Sequence, residues 1–275
     1  MGFIGGTVGY HILKRISKGT EVSYIDSSAY LGKSKIETLL GTDFWSEIQD
    51  KAVIDFGCGD GTESVELAQR GARRVIGVDI QERLLKVARS RATSAGVGDR
   101  CVFTAQPMEP ADLIIAIDSF EHFDDPLAIL KIMHDMLDPG GCVVAAFGPT
   151  WYHPFGGHLF SVFPWAHLIF TEKALVRWRS DFKTDGATCF GDVEGGLNRM
   201  TISRFKRIIK QSPFKLVKLE LVPIKRLRPF ANRFTREFVT SIVRCKLKPR
   251  DQTFETKNLT VGGKYCLISL AVLLY

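Results

Sequence analysis

The run Asp55-Phe56-Gly57-Cys58-Gly59-Asp60-Gly61 follows a short apolar stretch and is the first place in this sequence where chemistry is expected. Gly57 and Gly59 allow the backbone to turn sharply and to lie against a ligand with no Cβ in between. Gly61 opens the way into a following helix. A dinucleotide site spaces its glycines Gly-x-Gly-x-x-Gly and holds a pyrophosphate at the helix N-terminus. The spacing here is Gly-x-Gly-x-Gly, flanked by Asp55 and Asp60. Two carboxylates repel a pyrophosphate and suit a cationic amino-acid ligand, which disfavours a nicotinamide dehydrogenase. A further carboxylate, Asp79, ends Val75-Ile76-Gly77-Val78-Asp79 and can accept both hydroxyls of a ribose.

A second concentration of reactive types lies further along. Three of the six histidines, His153, His158 and His167, fall between residues 151 and 167 among Trp151, Tyr152, Phe155, Phe163 and Trp165. Histidine is the usual base near neutral pH, and aromatic walls suit a flat, partly apolar molecule. His153 or His158 is the expected base. Against any one of them stands the commoner role of a loop histidine, which is to satisfy nearby backbone groups.

These groups need a frame, and period and turn residues supply one. Residues 52–56, 74–78, 101–104, 112–117 and 142–147 read as strands. Between them 62–70, 81–95 and 126–137 read as helices, with Gly71 and Gly96 as stops and Pro126 in a first turn. Asp138-Pro139-Gly140-Gly141 reads as a turn. Alternation of this kind implies a parallel sheet covered by helices on both faces, with ligands at the carboxyl ends of its strands. Residues 1–50 are expected to form a helical cap, with helical spacing from Ser34 through Ile48. Residues 51–148 form the core. The aromatic stretch 149–200 is expected to fold over the sheet edge and cover a substrate. Residues 201–275 complete the sheet with a basic helix at 202–211 and an antiparallel pair at 214–222 and 238–247. The apolar tail 265–275 is expected to be a buried strand.

The run Val53 to Gly61 resembles the first motif of class I S-adenosylmethionine-dependent methyltransferases, and Val75 to Asp79 their acidic second strand. Asp112-Leu113-Ile114-Ile115-Ala116-Ile117-Asp118-Ser119-Phe120-Glu121-His122 is similar to the fourth-strand segment of ubiquinone-type small-molecule O-methyltransferases. Leu137 to Gly141 resembles the turn before strand five. The likeness spans roughly residues 50–148, in the expected order. It implies an α/β, doubly wound, mostly parallel, seven-stranded Rossmann-like sheet with an antiparallel final hairpin. It implies S-adenosylmethionine as cofactor, with Asp55, Gly57, Cys58 and Gly59 along its methionine part. Asp79 would hold the ribose, Ile80 would lie against the adenine, and Gln106 would stand where the family often has an acidic residue. Asp118 would lie beside the methyl group or its acceptor. Glu121 and His122 match positions that help hold a divalent cation in some relatives; a structural role is expected here, with no metal.

Composition narrows the partners. The scattered cysteines include no Cys-x-x-Cys pair, which argues against a zinc module and fits a cytoplasmic setting. No stretch reaches the length of a membrane span. From residue 198 onward there are 18 Lys or Arg against 4 Asp or Glu, so the net charge of +7 is carried by the C-terminal third. Such a split hints at an anionic partner or a solvated basic face. The Asn/Asp-Pro-Pro-Tyr/Phe signature of nucleic-acid amino-methylation is missing after strand four, and no stacking pattern accompanies the basic residues. A small-molecule acceptor, methylated on oxygen, is therefore expected ahead of RNA, of another polyanion, or of an inactive binding protein with the same fold.

Overall fold

Every residue of Ala52–Phe56 is buried, and this run forms β1 at the centre of the sheet. A strand buried on both faces needs helices above and below it, and the sequence supplies them in alternation. A computed structural model of the chain describes residues 2–17, 32–106, 109–193 and 196–250. Along these run α1 (Gly6–Ile16), α2 (Lys35–Leu40), α3 (Phe44–Glu47), β1, α4 (Thr62–Gln69), β2 (Arg74–Val78), α5 (Glu82–Ser94) and β3 (Cys101–Thr104). Then follow β4 (Ala111–Ile117), α6 (Pro126–Asp135), β5 (Leu137–Phe147), α7 (Ala166–Ile169) and α8 (Glu172–Arg179). The chain continues through α9 (Ile202–Gln211), β6 (Phe214–Pro223), α10 (Arg236–Val239) and β7 (Thr240–Pro249).

The strands lie in the order β3-β2-β1-β4-β5-β7-β6. The first five are parallel, and β7 runs antiparallel to both β5 and β6. This is the doubly wound, seven-stranded sheet that the sequence implied, closed by its antiparallel pair. Alternate side chains go to opposite faces. Ile54, Phe56, Ile114 and Val143 face α6 and α9, which answer with Leu130, Met133, Phe205 and Ile209. Val53, Val75, Leu113 and Ile115 face α4 and α5, with Leu67, Leu85 and Ala88, and the cap residues Ile36, Leu39 and Phe44.

Three differences from expectation have physical causes. The helical spacing of 34–48 is cut at Gly41, whose φ of 90° ends α2 before α3 begins. Strand β5 starts at Leu137, because the Pro139-Gly140 turn is absorbed as an irregularity: Ala111 pairs with Leu137, then Leu113 with Cys142. The expected cap also divides. While α2 and α3 pack on the sheet, α1 joins the insertion through Tyr10 and Leu13, which pack with Phe170, Leu175 and Trp178. The expected strand at 265–275 lies outside the described residues.

Gly61 shows how tightly the glycine loop is fitted. Its φ is +77°, and a Cβ there would come within 2.6 Å of the Ala88 Cβ. Gly61→Val is expected to lose about 3 kcal/mol in urea denaturation, combining left-handed strain with overpacking. Gly96 has a similar φ of +70° but open space around it, so Gly96→Ala should lose only about 1 kcal/mol.

Candidate functional site

Strand order reverses between β1 and β4, and a doubly wound sheet opens a crevice at such a point. An open cleft of about 160 Å³ lies there, lined by Gly57, Asp79, Ile80, Gln81, Asp118, Ser119, His122 and Phe123. Its floor is the glycine loop. The amides of Gly57 and Cys58 donate to the Val78 carbonyl at 2.8 and 3.0 Å, holding the loop over the end of β2. Asp79 grips it from the other side: Oδ2 accepts the Gly59 amide at 3.0 Å, and Oδ1 accepts the Gln81 amide at 2.8 Å. Gly57, with φ of +85°, would drive a Cβ to 2.7 Å from Ser119 Oγ, whereas the space beside Gly59 is open.

The two aspartates flanking the loop are not equivalent. Asp55 is buried beneath it and accepts from Ser64 Oγ at 2.6 Å. Burial, then the nearby charges of Glu63 and Asp79, pushes its carboxyl up to about 7. Asp60 turns outward to Arg91, at 2.5 Å, and to Thr62. Cys58 is buried, and its thiol is pushed up out of the reactive range by burial, so it packs rather than reacts. Gln106 is exposed and is not among the residues lining the cleft, where Gln81 stands instead.

Asp118 follows β4 directly, in a left-handed conformation, φ +47°. Lys35, the first residue of α2, reaches across to its Oδ2 at 2.8 Å. Glu121 is buried behind it. Burial and then the charge of Asp118 hold the Glu121 carboxyl well above the ordinary range, and its Oε1 accepts the Gly148 amide at 3.1 Å. Crowding and burial thus keep protons on Asp55, Glu63 and Glu121, and the acids that line the cleft itself are Asp79 and Asp118, the latter paired with Lys35.

The histidines separate by environment. His122 lines the cleft, and its Nδ1 lies 2.9 Å from the Gly196 carbonyl. A carbonyl can only accept, so Nδ1 carries the hydrogen and Nε2 is left as the basic atom. His158 packs edge-on against this ring, centroids 5.4 Å apart. His153 is buried; its Nδ1 accepts from the Phe155 amide, and Nε2 lies 3.4 Å from Ser241 Oγ on β7. His167 is also buried, with Nε2 2.7 Å from the Trp151 carbonyl. Burial lowers both to about 4. Gly57, Asp79, Ile80 and Asp118 therefore share the cleft, with His158 behind it. Gln81, Ser119 and His122 also line it, and Lys35 reaches its Asp118, beyond the site residues expected from the sequence. Of these, only His122 carried a visible signal, four residues beyond Asp118.

Residues 30–219 match the family model described as a methyltransferase domain. A ubiquinone biosynthesis O-methyltransferase of Idiomarina loihiensis is 41% identical over 97 residues, 33% of this chain and 40% of that protein. The protein of that name from Pseudomonas fluorescens is 32% identical over 139 residues, 48% of this chain and 57% of that protein. The chain thus matches only about half the length of these relatives. The solved structure of the [4+2]-cyclase SpnF covers 76% of this chain and 79% of its own, at 14% identity and a TM-score of 0.50. That likeness is one of fold alone.

Because the folded Asp55 holds its proton above the ordinary value of 3.8, the stability it contributes is complete below that pH and is lost as pH rises through about 7. Asp55→Asn should therefore match the parent near pH 4 and exceed it in stability increasingly toward pH 7. Denaturant titrations across that range check this; parallel curves would contradict it.

Proposed function

This chain belongs to the methyltransferase-domain family, and we propose that it transfers a methyl group from S-adenosylmethionine to a hydroxyl of a small molecule. The observation that carries the reading is the Asp79 carboxylate braced against the glycine loop at the mouth of an acidic cleft. A bare Gly59 beside open space, an acid at the end of β2 and the apolar Ile80 next to it fit an adenosyl amino acid. The O-methyltransferase names of the partial relatives support oxygen as the acceptor atom.

In this reading Asp79 holds the ribose, Ile80 lies against the adenine, and the backbone of Gly57 to Gly59 lies along the amino-acid part. Asp55 and Cys58, expected there from the sequence, are buried beneath the loop and support it. S-adenosylmethionine, when bound, supplies an electrophilic methyl group on a sulfonium. The chain supplies alignment, exclusion of water and a proton acceptor. Asp118 and Asp79, the two acids lining the cleft, face the positive ligand. His122 Nε2 takes the hydroxyl proton, with His158 packed beside it. His153 and His167, lowered to about 4 by burial, are weak bases at neutral pH and fasten the insertion. Residues 149–200 cover the acceptor, 51–148 form the cofactor-binding core, and 1–50 and 201–275 complete the molecule around them. A cytoplasmic setting fits the described cysteines, all of them unpaired and all but Cys189 buried. No helix among the described residues is long and apolar enough to cross a membrane.

Calorimetry should detect S-adenosylmethionine binding, and Asp79→Ala should weaken it by about 10- to 100-fold through loss of charge-assisted hydrogen bonds. Undiminished binding would sink the site assignment. With a panel of phenolic acceptors and labelled donor, His122→Asn should lower kcat by about 10²-fold or more while donor affinity stays. Full turnover in that variant would remove His122 as the base.

A further inference from the structure

Between β6 and β7 the chain makes an ordered excursion, residues 224–239, that buries almost nothing of its own. The 3-10 turn at Lys225–Phe230 has no buried residue, and α10 buries only Val239. The excursion is nonetheless held in shape. Ile224 donates to the Val239 carbonyl at 2.8 Å, closing its base. Asn232 Oδ1 accepts the amides of Phe234 and Thr235. Its one acid, Glu237, turns inward to cap α9 through the amides of Ile202 and Ser203.

What remains outward is aromatic and cationic. Phe230 is 64% exposed, Phe234 79% and Phe238 44%. Around them stand Lys225, Arg226, Arg228, Arg233 and Arg236, none within ion-pair distance of a described carboxylate. The apolar surface continues onto the insertion. The Phe238 ring lies 5.4 Å from that of Tyr152, and the half-exposed Trp165 donates its indole N–H to the Tyr152 carbonyl. The excursion also enters β7 beside the carboxyl end of β5, since Phe147 pairs with Val243. It therefore sits on the same end of the sheet as the cleft.

We propose that this excursion, with Trp165 beside it, docks the protein on an anionic lipid surface. Side chains that are apolar at the tip and ringed by unpaired cations match the boundary between acyl chains and acidic headgroups. A nucleic acid would also meet the cations, but it gains nothing from the aliphatic stripe that α1 leaves outside, Val8 and Ile16, or from Phe3. Phe3 is tied by its amide to the Ile169 carbonyl, one helical turn beyond Trp165. Docked this way, the insertion faces the bilayer, and an acceptor partitioned into lipid reaches the cleft without crossing water.

The test is co-sedimentation of the full chain with phosphatidylcholine vesicles made with and without phosphatidylglycerol. Binding is expected only with the anionic lipid and should fall with salt. Replacing three cations together, Arg226→Gln, Arg228→Gln and Arg233→Gln, should weaken it about 100-fold, at roughly fivefold for each. Phe230→Ser with Phe234→Ser should weaken it at least about tenfold even in raised salt, where the apolar contribution persists. All these positions are solvent-exposed, so unchanged melting and unchanged S-adenosylmethionine affinity separate a failure of this surface from a failure of the transfer site. Equal binding to neutral vesicles, indifference to all five substitutions, or binding to single-stranded RNA in place of vesicles would each overturn the proposal.

Discussion

The site is organised by one carboxylate with two duties. Asp79 accepts the amide of Gly59 from the loop after β1 and the amide of Gln81 from the turn after β2. The carbonyl of Val78, at the end of β2, holds the first two amides of the loop. Asp79 holds the next one, and it does so with a charged acceptor, the stronger class of hydrogen bond. The left-handed glycines make the geometry accessible, and the carboxylate selects one arrangement from it. Because Gly57 lies against Ser119, the same arrangement decides how closely the segment after β4 can approach.

That segment is fixed in turn by the insertion. Asn198 donates to the carbonyls of Phe120 and Phe123, both at 2.7 Å, and Gly196 receives the hydrogen of His122. Beneath it, Phe120 packs with Phe123, Phe147 and Phe205. Polar contacts above and aromatic packing below leave the 118–123 turn little freedom. The orientation of His122 is thus a property of residues more than seventy positions away in sequence.

Most of the sheet was legible because it rests on local pattern. An apolar run ended by glycine marked β1 and short apolar runs marked β2 and β3, all with the boundaries observed, and the spacing of Ile202, Phe205, Ile208 and Ile209 marked α9. The insertion was harder, although α8 carries a Thr171 cap, Glu172 in the first turn and buried Leu175 and Trp178 at helical spacing. Its eight residues are too few to stand out among irregular neighbours. Of the residues around the cleft, those on the motif itself could be found in sequence. Lys35 could not, because it reaches Asp118 from a separate helix more than eighty residues earlier in the chain. The outward turn of Asp60 toward Arg91 was equally invisible: composition shows a charge, while its partner is set by packing between α4 and α5.

The packing of α1 on α8 joins the two ends of a long interval. Tyr10 hydrogen-bonds Asp181, and Ile4 bridges to Phe170, across more than 160 residues of chain. During synthesis α1 leaves the ribosome before any of its partners exist. With eleven residues it is too short to hold its helix well alone. The sheet can begin to assemble from its parallel strands in the meantime, but the cluster of Tyr10 and Leu13 with Phe170, Leu175 and Trp178 must wait for residues 166–179 to emerge. Helix α1 is therefore among the last elements to find its place, and completion of this cluster is timed by residues far along the chain from it.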